Sequence, residues 1–271
     1  MRKVMLVLAV AALAVLGTSC NKLKARDQLN KGVQQFTAAQ YGKAVEHFKA
    51  AVEFEPGFSA ARLYLATAYM QQYIPGTDSP ENNMMAVAAF DNFKKVLDQE
   101  PKNSVAIASI ASLNLNQKKW DEAQQWYDKL IAVEPQNADA YYSMGFIAWS
   151  KWYPVYGNAR AALGMKQEDP GPIKDKKVKE ELTLKYGPVI QAGVQALEKA
   201  LQINPEYDDA MAYLNLLIRE RADLSDSKVE YDRQLTIADD WIQKALATKK
   251  TKAERKNKTG GGTIVLDPNA K

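Results

Sequence analysis

One histidine and one cysteine stand among 271 residues, and that scarcity decides most of what this chain can do chemically. His47 lies between Glu46 and Phe48 in a stretch of helical periodicity, the setting of a partly exposed helix residue. HExxH, CxxC and paired-ligand spacings are missing, so zinc and haem have no ligand set and no metal or cofactor is expected. GxSxG, Walker and GxGxxG patterns are missing as well. Carboxylate pairs such as Glu180-Glu181 and Asp208-Asp209 fall where helices solvate them or use them as caps. The expectation is a protein without enzymatic activity, with a carboxylate-dependent hydrolase as the minor alternative. Two features remain that can act. The thiol of Cys20 can carry an acyl chain. Tyr142, Phe146 and Trp149, spaced i, i+4, i+7, share one helix face and can hold another molecule without reacting with it.

The elements that must position them are punctuated by proline. Pro56, Pro101, Pro135 and Pro205 close the phrases AAVEFEP, KVLDQEP, KLIAVEP and KALQINP, at spacings of 45, 34 and 70 residues. Small and aromatic residues keep fixed offsets before each. Gly32, Tyr41, Ala44, Phe48 and Ala51 precede Pro56, and Ala111, Trp120, Ala123, Tyr127 and Leu130 repeat that phase before Pro135. Leu65, Ala66, Tyr69, Ala89, Phe93 and Val96 precede Pro101; Tyr141, Met144, Gly145, Ala148, Leu197 and Ala200 precede Pro205. A fifth set runs from Met211, Leu214 and Ile218 to Ala238, Ile242 and Ala245, with Lys250 in the proline position. Small residues let paired helices approach, aromatics fill the gaps between pairs, and proline stops the second helix.

A period of 34 residues with this phase resembles the tetratricopeptide-repeat (TPR) family over roughly residues 25–250. The other two spacings are that period plus 11 and plus 36 residues. The resemblance implies an all-α superhelical solenoid of four to five helix-turn-helix repeats with an inserted helical element, and a surface for holding other proteins. Asn215 departs from the pattern, standing where a small residue is usual. Charged residues at 25% and a mean hydropathy of −0.39 suit such a helical array, and its length is ample for a continuous core.

The first residues supply an address. Arg2 and Lys3 precede 13 apolar residues, Val4 to Leu16, too few to span a bilayer and right for a secretory signal peptide. Gly17, Thr18 and Ser19 then lead to Cys20, an arrangement similar to the acylation site of bacterial lipoproteins, although Gly17 stands where leucine is usual. Gly17 and Ser19 also satisfy the small-x-small rule of ordinary signal cleavage, so both cuts before Cys20 stay open. A lone cysteine in an exported chain has no disulfide partner, which favours lipidation. The implied location is a membrane anchored by lipid; Asn21 is not an inner-membrane retention aspartate, so in a two-membrane host the outer membrane facing the periplasm is expected.

In this family the first helices line the concave face. The corresponding positions are Leu29, Val33 and Phe36; Leu63, Thr67 and Met70; Ala108, Ser112 and Leu115; Asp139, Tyr142, Phe146 and Trp149; Ala212, Leu216 and Arg219. An apolar groove follows, with Phe36, Met70, Tyr142, Phe146, Trp149 and Arg219 as candidate contacts for envelope proteins or peptides. Packing of the aromatics against the insertion of their own repeat is the favoured alternative. The implied function is a scaffold or adaptor, in envelope complex assembly or as a partner of peptidoglycan enzymes. Without residues 1–19 the chain carries 34 bases against 32 acids, which gives no electrostatic case for nucleic acid.

The organisation expected is a signal peptide (1–19), a tether (20–24), repeats at about 25–58, 59–103, 104–137, 138–207 and 208–250, and a basic disordered tail (251–271). The fourth repeat contains the insertion 151–188, in which Val178, Leu182 and Tyr186 form a docking stripe and Gly187-Pro188 should break or kink the helix. RERADLSDSK reads as a charged linker, and Thr263 to Leu266 as a strand-forming segment.

Overall fold

A computed structural model describes residues 2–166 and 169–260, with side chains placed at 20–166 and 169–257. Every regular element among the described residues is an α-helix. The first unit, through residue 134, holds α1 (Arg2–Thr37), α2 (Tyr41–Phe54), α3 (Ser59–Met70), α4 (Pro80–Gln99), α5 (Ser104–Asn116) and α6 (Trp120–Val133). The second, from residue 135, holds α7 (Ala138–Ala162), α8 (Lys176–Ile203), α9 (Asp208–Ala222) and α10 (Lys228–Gly260). In each unit consecutive helices pair as hairpins, α1 with α2, α3 with α4, α5 with α6, α7 with α8 and α9 with α10. The first helices of neighbouring hairpins also touch, α1 with α3, α3 with α5, and α7 with α9.

The prolines act one residue early. Proline clashes with a helical residue before it, and Glu55, Glu100, Glu134 and Asn204 accordingly leave the helix at φ −139°, −127°, −126° and −125°. Two of the following helices are then capped by asparagine: Asn103 accepts from the Ala106 N–H at 3.0 Å and Asn137 from the Ala140 N–H at 2.9 Å. Small phase residues mark real contacts. A Cβ on Gly32 would come within 2.4 Å of the Phe48 ring, and one on Gly145 within 2.3 Å of Leu197. Ala44 and Ala123 are fully buried. Asn215 fits its crowded position because its Nδ2 donates to the Ala238 carbonyl at 2.6 Å, bonding the hairpin it would otherwise wedge apart.

The structure redraws the insertion. It is not a separate element: α7 runs on to Ala162 and α8 starts at Lys176, so both helices of the hairpin are lengthened and residues 163–175 join them. The expected break at Gly187-Pro188 is absent, because α8 passes through both. Pro188 removes one N–H and strands the Leu184 carbonyl, but Pro188 and Leu184 lie on the exposed face, where water can satisfy that oxygen. Pro154 sits exposed inside α7 in the same way. The docking stripe is engaged as its period requires. Leu182 is buried, Val178 packs on the core, and Tyr186 lies against fully buried Trp152 with ring centres 5.6 Å apart.

Two further readings change. Residues 20–24, taken as a tether, are helical within α1, since no helix breaker separates Cys20 from Ala25, which is already fully buried. No helix among the described residues is long and apolar enough to cross a membrane. The basic run is helical too, within α10. Lys252 pairs with Asp208, and Arg255 pairs with Glu206 at 2.8 Å, so the α8–α9 turn supplies counter-charges that make helix preferable to coil. Thr263 to Leu266 lie outside the described residues.

Candidate protein-interaction face

The three aromatics of α7 meet a fourth from α9. Tyr213 stands edge-on to Tyr142, Phe146 and Trp149, with ring centres 5.8, 5.2 and 5.3 Å apart. Tyr207 stacks on Tyr142 at 4.9 Å and Tyr153 stacks on Trp149 at 4.8 Å, extending the cluster at both ends. Edge-to-face and offset stacking are the favoured arrangements of the ring quadrupole, so the cluster is a fixed surface. Its members are only partly buried, and Tyr153 is exposed. The sequence placed Ala212, Leu216 and Arg219 on this side of α9. The residues turned toward α7 are instead Tyr213 and Glu220, each one position later and seven apart. That i, i+7 pair was the signal available for them.

Acids edge the cluster. The Tyr207 hydroxyl donates to Asp139 Oδ1 at 2.8 Å. Burial pushes the hydroxyl pKa of Tyr142, Tyr207 and Tyr213 above the usual range, and the charge of Asp209 adds to the rise in all three. Glu220 lies deeper. Trp149 Nε1 donates to its Oε1 at 3.0 Å, while Oε2 has no hydrogen-bond partner. Burial pushes the Glu220 carboxyl up to about 7, against the indole N–H groups of Trp149 and Trp152, which favour the charged form; the charge of Asp223 adds to the rise. Trp152 Nε1, though near enough to exert that pull, completes no hydrogen bond.

Beneath the face, Asp223 anchors the long hairpin. It accepts from the half-buried Tyr156 hydroxyl at 2.8 Å and pairs with the buried Arg160 guanidinium. Arg160 also donates to the Lys166 and Asp169 carbonyls at 2.7 and 2.6 Å. The Asp223 carbonyl accepts from the Ile173 N–H at 2.9 Å, and the Gly171 N–H donates to the Tyr231 hydroxyl at 2.9 Å. Gly171 must be glycine here, because a Cβ would lie 1.7 Å from Asp223 Oδ1. RERADLSDSK is therefore no solvated linker: Glu220, Asp223 and Ser225 are all buried. Trp152 and Tyr156 pack on Tyr186 and on the anchor Asp223, and of the three predicted aromatics Trp149 meets the inserted segment through Tyr153.

The other candidates are dispersed. Phe36 packs on Tyr41 and Tyr64 in the first unit, at 5.2 and 6.4 Å, and Met70 lies partly buried against that unit's core. Arg219 turns to α10 and pairs with Asp239. Cys20 is exposed on α1. His47, half-buried, shares a hydrogen bond with Gln28 at 2.8 Å. Where two acids line a cleft, each has structural work. In the cleft between α8 and the start of α10, Asp226 pairs with Lys179, and Arg233 with Gln234 holds Glu230 well below the carboxylate range, at about 2. Beside the 163–175 segment, Asp169 accepts from the Lys166 N–H and Asp175 caps α8.

Known proteins share the helical-hairpin repeat. The family model described as tetratricopeptide repeat matches residues 85–144. Mitochondrial import receptor subunit TOM70 of Rattus norvegicus is 29% identical over 106 residues, 39% of this chain and 17% of that protein. The Homo sapiens protein is 25% identical over 118 residues, 44% of this chain and 19% of its own length. The chain thus spans less than a fifth of the curated relatives it matches. Among solved structures, MamA from Desulfovibrio magneticus RS-1 superposes with a TM-score of 0.57 at 16% identity, covering 84% of this chain and 96% of that one. YrrB, a TPR protein with an unusual peptide-binding site, superposes at 0.51 with 12% identity, covering 82% and 90%. Residues 85–144 thus match the tetratricopeptide-repeat model, and the described helices have the repeat-solenoid fold of these solved structures.

Proposed function

We propose that this protein is a non-enzymatic cell-envelope lipoprotein, anchored through Cys20, that holds partner proteins on its repeat helices. The repeat fold is that of a protein-interaction scaffold. The observation that carries the finer reading is the aromatic face of α7 and α9, a fixed and partly exposed surface of tyrosine and tryptophan. Such residues supply large contact area at low entropy cost and dominate the energetics of interfaces. The receptor role named for TOM70 and the peptide site named for YrrB support the same use. The envelope address rests on the basic and apolar start of the chain and on Cys20 after small residues.

Fractionation tests the anchor. Wild-type protein is expected in the membrane fraction with the mass of acyl chains on Cys20, and Cys20→Ala in the soluble fraction. Wild-type protein without acyl mass, partitioning as the variant does, would contradict it.

A further inference from the structure

We propose that the aromatic face of α7 and α9 takes a cationic peptide segment, whose lysine or arginine groups lie on Tyr142, Tyr213 and Tyr153 and meet Asp139 and Asp209. This rests on the protein-binding reading above and names the chemistry of the partner.

Three observations carry it. First, the rings are fixed by each other and partly open, and the face of an aromatic ring attracts a cation. Second, the chain sets its own lysines over other aromatics. Lys129 stands 3.8 Å from the Trp126 ring centre and Lys244 stands 4.5 Å from that of Trp241. Among the described residues, no lysine or arginine stands over Tyr142, Trp149, Tyr153 or Tyr213. Third, two carboxylates stand at the rim. Asp139 and Asp209 are exposed, and both act on the tyrosine hydroxyls. The arginines of α9 are engaged elsewhere, Arg219 with Asp239, and Arg221 with Gln234 and Gln191. Arg160 of α7 is committed to Asp223, and Lys252 of α10 to Asp208. An acidic rim on an aromatic floor is complementary to a basic segment and rejects an acidic one.

The test uses the full chain without its signal peptide and two short labelled peptides, one alternating lysine with alanine and one alternating glutamate with alanine. Fluorescence anisotropy should show binding of the lysine peptide, weakening as salt rises. Asp139→Asn with Asp209→Asn removes both charges, and asparagine still accepts the Tyr207 hydroxyl. This double variant should keep wild-type helical content and lose about tenfold or more in affinity, while Glu180→Gln with Glu181→Gln on α8 should bind as wild type. Equal binding of the glutamate peptide, or wild-type affinity in the double variant, would overturn the proposal. A cellular partner recovered at wild-type yield by the double variant would also overturn it and leave the scaffold reading standing. Absence of any partner for the wild-type protein would remove the scaffold reading itself.

Discussion

The two units are built from the same hairpin and differ in what they bury. The first is filled by alanine with Phe48, Phe93, Ile110 and Leu113, and its buried polar side chains Asn82 and Asn114 each bond backbone carbonyls. Asn82 ties down the α3–α4 loop, donating to Ile74 and Thr77 and accepting from the Ile74 N–H. The second unit buries Arg160, Glu220 and Asp223 as well. The repeat itself needs only apolar and small phase residues. A hairpin lengthened by about three turns in α7 and about four in α8 also needs its connecting segment fixed, and the Arg160–Asp223 node does that. Buried ions are costly to desolvate, so this anchoring gains a defined geometry more than stability. The first unit should therefore behave as a plain apolar stack, and the second as a unit whose stability depends on charge.

The largest effect should come from breaking the node on one side. Arg160→Met leaves Asp223 buried without its cation, a change of about 3–5 kcal/mol. Hydrogen exchange should show faster opening across α7–α10 with α1–α6 little altered. Equal loss of protection in both units would erase the contrast between them.

Next in size is a pH effect confined to the second unit. The folded-state pKa of Glu220 is raised, to about 7 from an ordinary 4.5, so the folded state holds the proton more tightly than the unfolded chain. The stabilising contribution is complete below about pH 4.5 and is lost as pH rises through about 7, up to about 3 kcal/mol in all. Glu220→Gln keeps an acceptor for Trp149 and cannot ionise, so its stability should be flatter across that range. An identical pH profile in the variant would show that Glu220 is not the group responsible.

In the first unit the sharpest probe is steric. Ala44→Trp at a fully buried contact should cost at least about 1–3 kcal/mol through overpacking. Glu46→Ala on the exposed side of the same helix should stay within about ±0.5 kcal/mol. Comparable melting shifts would mean the repeat phase is misassigned.

The contrast between units also separates what was legible in the sequence from what was not. The hairpins were legible because proline, small residues and apolar phase act locally, within one or two turns. Tyr142, Phe146 and Trp149 were legible as one face for the same reason. Their partners were not. Tyr213 and Glu220 come from α9, far along the chain; their i, i+7 spacing puts them on one face, but that this face turns to α7 is set by helix packing. The charged look of RERADLSDSK misled, since Glu220 and Asp223 are buried by partners, Trp149, Tyr156 and Arg160, that lie more than 60 residues away. The basic run after Lys249 misled because its counter-charges, Glu206 and Asp208, stand in a different turn.

The central claim is that the aromatic face of the second unit holds a protein partner, and crosslinking in living cells tests it most directly. A photoreactive phenylalanine analogue placed at exposed Tyr153, beside Trp149, should give one defined crosslinked protein in the membrane fraction. The same analogue at Glu46, on the exposed side of α2, should give none. Equal crosslinking from both positions, or none from Tyr153 in a folded and correctly localised protein, would contradict the account.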